Sequence, residues 1–219
     1  MLEVVQAVER GERPVDVQGL WVRDGDWIVR NPPGPFVADL SDLPLPDRDL
    51  FDDPTVPKRY GLKPVSFQNT FRITRGCPYA CTFCSAKVLS ETQEGSYLRY
   101  QPIQRVIDEI KECVRRYGIE ELIFLDDTFL MREDIAHEFV EIYRREVNLP
   151  FDFFGRIPAR NEALLRLLKE AGGRRISFGV EHGNEAFRRD VIRKSFTNED
   201  VVETFKLTQR VGLTTEAFV

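Results

Sequence analysis

Three of the four cysteines in the chain stand within eight residues, at Cys77, Cys81 and Cys84 of RGCPYACTFCSAK. Thiols crowded into one loop at C-x3-C-x2-C spacing suit a metal centre, and the chemistry depends on whether a fourth ligand joins them. A structural zinc ion takes four ligands in a closed tetrahedron. A four-iron cubane can instead be held through three irons, leaving the fourth open to a substrate or cofactor. The candidates for a fourth zinc ligand are Cys113, His137 and His182. Cys113 falls on the apolar face of a helical segment, where cysteine behaves as a small hydrophobe. His137 lies on the opposite helix face from Ile135 and Phe139, and His182 ends an apolar run. A disulfide would leave one thiol over and fits a reducing compartment poorly.

Elements that alternate between two periodicities position these residues. SFQNTFRIT reads as a strand and runs directly into the cysteines. After them the strand-like runs ELIFLDD, FDFFGR, RRISFGVEHG and LTTEAFV alternate with helical patterns. The helical patterns are PIQRVIDEIKECVRRYG, REDIAHEFVEIYRREV, NEALLRLLKEAGG, the short NEAFRRDVIRK and TNEDVVETFKLTQRVG. Asn161 and Thr197 are the expected helix caps, with Thr197 and Asp200 at capping-box spacing. Gly118 and Gly172 are the expected stops. Such alternation predicts an α/β fold of about five parallel strands with right-handed crossovers, either an open doubly wound sheet or an arc of a barrel. In both architectures the working groups gather at the C-terminal ends of the strands. Here the first strand is followed by the cysteines, the second ends in Asp126-Asp127, the third in Arg156 and the fourth in Glu181-His182.

Residues 1–62 have a different texture. A short helix, MLEVVQAVERG, precedes GLWVRDGDWIVRN, whose alternation around Asp24-Gly25 signals a hairpin. A proline-dense stretch from Pro32 to Pro57 then predicts an extended strap lying along a neighbouring surface. The 219 residues are 42% hydrophobic, enough for one packed domain plus an extension. A net charge of −5 argues against nucleic acid as the main partner. No apolar run is long enough to span a membrane, and no secretory leader is visible, so the expected location is cytoplasmic. The last strand has no helix after it to cover its outer face, so the chain is expected to be part of a longer protein and incomplete at its C-terminal side.

The cysteine motif CPYACTFC, with an aromatic residue before its third cysteine, resembles the signature of the radical S-adenosylmethionine (radical SAM) superfamily. The wider pattern of LIFLDDTF, GGRRISFGVEHGNE and RKSFTNEDVVETFKLTQRVGLTTEAF is similar to the branch that carries an N-terminal cobalamin-binding domain. The resemblance implies a partial (β/α) radical SAM barrel over 63–219. Residues 1–62 would be a connector to a cobalamin-type domain. It implies a [4Fe-4S] cluster on Cys77, Cys81 and Cys84, with S-adenosylmethionine chelating the open iron. One electron would then cleave its C–S bond to give methionine and a 5′-deoxyadenosyl radical. By the same resemblance Phe83 would flank the adenine. Asp126 and Asp127 would stand where many members carry a Gly-Gly-Glu turn facing the cofactor's ammonium, a point at which this chain departs from the pattern. Glu181 would meet ribose hydroxyls or the amino-acid part, and Arg156 and Lys194 would be candidates for its carboxylate. The implied reaction is methyl transfer to carbon or a related radical reaction, ring-forming and oxidative chemistry being found in the same branch, on a small-molecule substrate. The implied partners are cobalamin held by a domain outside these residues and an electron donor such as flavodoxin or ferredoxin, in an oxygen-sensitive protein. A radical SAM methylthiotransferase and a zinc-stabilised binding module are the competing readings. The former usually has further cysteines upstream, whereas none precedes Cys77.

Overall fold

In a computed structural model, residues 2–51, 67–129 and 132–219 are described. The expected α/β core is present as a five-stranded parallel sheet. Its strands are β3 (Thr70–Phe71), β6 (Leu122–Phe124), β7 (Phe151–Gly155), β8 (Gly173–Gly179) and β9 (Thr214–Phe218). They lie side by side in chain order, and each neighbouring pair is parallel. That order selects between the two expected architectures. A doubly wound sheet reverses direction at a switch point, whereas right-handed crossovers advancing always the same way put every helix on one face, as in a barrel.

The covering helices are α3 (Ile103–Tyr117), α4 (Glu133–Glu146), α5 (Glu162–Glu170) and α6 (Asn198–Val211), with a short α2 (Ser85–Ser90) after the cysteines. The expected signals act at their ends. Asn161 accepts from Leu164 N, Thr197 and Asp200 form a reciprocal capping box, and Gly118 closes α3 in the left-handed conformation. Beneath α3 and α4 the phenylalanines concentrate. Phe124, Phe139, Tyr143 and Phe151 are fully buried, and Phe124 meets Phe139 edge-on at 5.3 Å and Phe151 at 5.5 Å. Edge-to-face packing of this kind satisfies the ring quadrupoles while excluding water. Cys113 belongs to the same core.

Two elements depart from the sequence reading. The first strand was expected over 66–74, but only Thr70–Phe71 joins the sheet; Phe67–Asn69 form a 3-10 turn, and β4 (Thr74–Arg75) pairs antiparallel with β5 (Arg99–Tyr100). The Asp126 carboxylate accepts from the backbone N–H of Ile73 and of Thr74, which draws the chain off the ladder. The short helix expected over 184–194 is one α-turn, Glu185–Phe187, running into a π-turn, Arg188–Ile192.

N-terminally, α1 (Leu2–Glu9) precedes the hairpin β1 (Trp21–Asp24) and β2 (Trp27–Arg30), which turns at Gly25-Asp26. The strap follows and does lie along the barrel. Phe36 packs on Tyr97 at 5.4 Å, Arg99 donates to Val37 O at 2.7 Å, and Arg105 donates to Ser41 O at 2.9 Å and to Leu43 O. Arg48 forms a buried ion pair with Glu109 on α3. The far end of the strap and the expected boundary between 62 and 63 lie outside the described residues.

Candidate metal and cofactor site

The chain leaves β4 through Gly76, at φ 93°, where a Cβ would stand 2.2 Å from the Tyr97 carbonyl oxygen. Only glycine fits both the dihedral and the approach, and this turn launches the cysteine loop. Cys84 caps α2, its Sγ accepting from Ala86 N at 3.5 Å. Cys81 is buried, and its Sγ receives Arg156 Nη1 at 3.8 Å. Burial pushes the Cys77 thiol up, partly offset by the Tyr79 backbone N–H and the Thr128 side chain. Such a thiol is a good ligand only once a metal displaces its proton. The loop is tied down at Thr82, which donates from N to Ile192 O at 3.1 Å and from Oγ1 to Val191 O at 2.6 Å.

The strand ends supply the other groups. Asp126 is buried against the turn beyond β3, accepting from Ile73 N at 3.0 Å and from both N and Oγ1 of Thr74 at 2.6 Å. Burial raises its pKa, with the Thr74 and Ile73 hydrogen bonds working against the rise. Its neighbour Asp127 is exposed. Both lie past the end of β6 and line the same cleft: the buried Asp126 fixes the scaffold and the exposed Asp127 stands at the opening. Arg156 leaves β7 with its guanidinium 3.5 Å from the centroid of Tyr79, inside the cysteine motif. From β8, Glu181 sits at φ 68°, a conformation uncommon for any residue but glycine, Asn or Asp. Its Oε1 accepts from Lys194 Nζ at 2.7 Å, and the same ammonium reaches Gly179 O at 2.9 Å. The sequence showed no cation near Glu181; the fold brings one thirteen residues onward, past Arg193, which is itself left-handed at φ 61°. Phe83 is 62% exposed, with Lys194 Nζ 5.8 Å from its ring.

Cys77, Cys81, Cys84, Phe83, Asp126 and Asp127 line one cleft of about 370 Å³, together with Arg156 and Lys194. Glu181 joins it through Lys194. The fourth-ligand candidates stand elsewhere. Cys113 is in the core, His137 is exposed on α4, and His182 Nδ1 accepts from Asn184 N at 3.0 Å while its ring rests on Phe187. Among the described residues no three His, Cys, Asp or Glu groups are gathered around one ion-sized point. A cubane makes no such demand, because each sulfur binds a different iron. The donor set therefore fits the cluster and does not fit a closed zinc site. Around the thiols, cationic Arg72, Arg156 and Lys194 alternate with Asp127 and Glu181, an array suited to a ligand carrying both charges.

Sequence reasoning missed several of the residues that build this cleft. Tyr79 fixes Arg156, and Thr82 and Thr128 brace the loop. Arg188, fully buried, donates to His182 O, to Phe196 O at 3.1 Å and to Asn198 Oδ1 at 2.7 Å, gathering the segment that delivers Lys194. Nothing in FRRDVIRK distinguishes a buried arginine from its solvated neighbours.

The family described as the Radical SAM superfamily matches residues 71–219. "Uncharacterized methyltransferase PH0819" of Pyrococcus horikoshii is 28% identical over 212 residues, covering 96% of this chain and 44% of that protein. "Cytidylyl-2-hydroxyethylphosphonate methyltransferase" of Streptomyces wedmorensis is 29% identical over 147 residues, covering 66% of this chain and 27% of that protein. Among solved structures, the cobalamin-dependent S-adenosylmethionine radical enzyme OxsB with aqua-cobalamin bound superposes with a TM-score of 0.73 at 18% identity, over 99% of this chain and 31% of that one. This chain thus spans less than half the length of the curated relatives it matches.

Proposed function

The chain belongs to the radical SAM superfamily, and from that premise we propose that its cleft holds a [4Fe-4S] cluster and S-adenosylmethionine in the service of cobalamin-dependent methyl transfer to carbon. The observation that carries this reading is the meeting of three thiols and a set of opposed charges on one cleft with no fourth thiol beside them. When bound, the cluster supplies the electron that cleaves the sulfonium C–S bond. The protein's own residues do the holding. Cys77, Cys81 and Cys84 are the ligands. Asp127 faces the cofactor's ammonium, while Asp126 holds the turn beneath it. Lys194, with two of its three donors spent on Glu181 and Gly179, turns the third toward a carboxylate. Glu181 keeps one carboxylate oxygen for hydroxyl groups, and Phe83 offers an exposed face to the adenine.

Methyl transfer is supported by the names of the two curated relatives, and cobalamin by the likeness to OxsB, a cobalamin-dependent enzyme. No described residue here is assigned to cobalamin. A small-molecule substrate and a one-electron donor of the flavodoxin or ferredoxin kind complete the reading. No helix among the described residues is long and apolar enough to cross a membrane.

The test is anaerobic reconstitution of the chain, metal and sulfide analysis, and electron paramagnetic resonance of the reduced protein with and without S-adenosylmethionine. The expected result is about four irons and four sulfides per chain and a signal whose shape changes on adding the cofactor. Cys77→Ser should lose both. One tightly held zinc per chain and no iron would overturn the proposal.

A further inference from the structure

Arg156 departs from the usual behaviour of a half-buried arginine. Among the described residues it has no carboxylate partner; its guanidinium lies on the Tyr79 ring at 3.5 Å and points Nη1 at the Cys81 sulfur, 3.8 Å away. Its position is rigid. It follows β7 directly, Ile157 after it is 3% exposed, and Phe154, two residues before it, is fixed by Phe129 N donating to Phe154 O at 3.0 Å. The cleft wall around it includes Phe83, Leu125 and Phe154, apolar groups that weaken solvent screening of its charge.

Taking the cluster reading above as its premise, we infer that Arg156 sets the reduction potential of the cluster, raising it through its contact with the Cys81 sulfur. Reduction adds one electron to the cluster and neither makes nor breaks a bond at the protein. The added negative charge is stabilised by a fixed cation and by an N–H aimed at a ligand sulfur, both of which are known controls on cluster potential. Tyr79 has a definite part in this. By stacking on the guanidinium it holds the plane in place, so that the contact does not depend on a mobile side chain.

The experiment is a redox titration of the reconstituted chain, followed by its resonance signal, in the absence of S-adenosylmethionine. Leaving the cofactor out separates this role from any grip on its carboxylate. Arg156→Met should lower the ratio of reduced to oxidised cluster about tenfold at a given potential, a fall in midpoint of about 59 mV for a one-electron couple. Arg156→Lys, which keeps the charge without the planar fork, should fall by less. Tyr79→Leu, which frees an intact Arg156, should lie between wild type and Arg156→Met. Full iron loading with an unchanged midpoint in Arg156→Met overturns the inference alone. Should Arg156→Met fail to load iron, unchanged midpoints in both Arg156→Lys and Tyr79→Leu overturn it instead. A wild-type chain that binds no iron overturns the cluster reading, and this inference with it.

Discussion

The Glu181–Lys194 pair offers a direct test of how the cleft is held. Lys194 Nζ lies 2.7 Å from Glu181 Oε1 and 2.9 Å from Gly179 O, with side-chain exposures of 10% for the lysine and 25% for the glutamate. Removing one partner of a fully buried ion pair costs about 3–5 kcal/mol, because a charge is left without compensation. Glu181 retains some solvent, which lowers the expectation for Lys194→Met to about 2–3 kcal/mol. Glu181→Gln keeps an acceptor for the ammonium and should cost about 1–2 kcal/mol. In the double variant no charge remains to be compensated, so its loss should fall short of the sum by about 1–2 kcal/mol. The assay is urea denaturation of the iron-free chain for all four members of the cycle. Gly179→Ala provides a second arm. A Cβ there would stand 2.2 Å from Glu181 Oε1 and 2.7 Å from Lys194 Nζ; both are tips of flexible side chains that can swing aside with their charges still paired, so Gly179→Ala should destabilise the chain by less than Lys194→Met does. Additivity of the cycle to within about 0.5 kcal/mol would refute the claim that these two side chains act as one unit.

Two further outcomes follow from other parts of the molecule. Cys113→Ala should leave the iron content of the reconstituted chain unchanged and cost about 1 kcal/mol of stability, since this thiol packs in the core; lost iron would return it to the list of ligands. Glu146 is held down to about 2 by its hydrogen bonds to Lys111 and Arg145. A depressed carboxylate stabilises the fold above its unfolded pKa and ceases to as pH falls through its folded one. The melting-temperature advantage of wild type over Glu146→Gln should therefore shrink between about pH 4.3 and about 2, as followed by circular dichroism; a constant difference over that window would contradict the assignment.

Much of this architecture was legible in the sequence because its signals are local. The capping box at Thr197 and Asp200, the Asn161 cap and the Gly118 stop act within one helical turn and appear as expected. The cysteine loop was readable from spacing alone, and polar groups at successive strand ends pointed to a shared cleft. What escaped were interactions between residues distant in sequence. The buried Asp126 takes the N–H groups of Ile73 and Thr74 from more than fifty residues away and cuts the first strand short. The cation for Glu181 arrives only because a π-turn and a left-handed Arg193 fold the chain back. Neither alternation nor helical periodicity encodes such contacts, and both occur where the structure departs from regular geometry.

The two faces of the sheet explain why the cleft lies where it does. On the helix side, Phe151, Phe153, Ile176 and Phe178 pack into the core, and Thr215 reaches Thr208 on α6 at 2.6 Å. Side chains alternate along a strand, so the intervening residues face inward: Asp152 and Phe154 on β7, Arg175, Ser177 and Gly179 on β8, Thr214, Glu216 and Phe218 on β9. The interior of a closed (β/α) barrel is ordinarily filled by branched apolar side chains, and these residues cannot fill it that way. They satisfy one another instead. Arg174 and Arg175 grip Asp152 at 3.0 and 2.6 Å, and Ser177 donates to Glu216 at 2.6 Å. Above them Phe154 stacks on Phe218 at 6.1 Å, and Phe154 is also a wall of the cysteine cleft. An apolar outer face thus gives the strands their rigidity, while a polar inner face, satisfied within the sheet, adjoins the cleft with no hydrophobic demand to close over it. The same alternation that builds the core leaves the inner side of the arc available to a ligand, and it places Arg156, next in the inward series after Phe154, beside the cysteine sulfur.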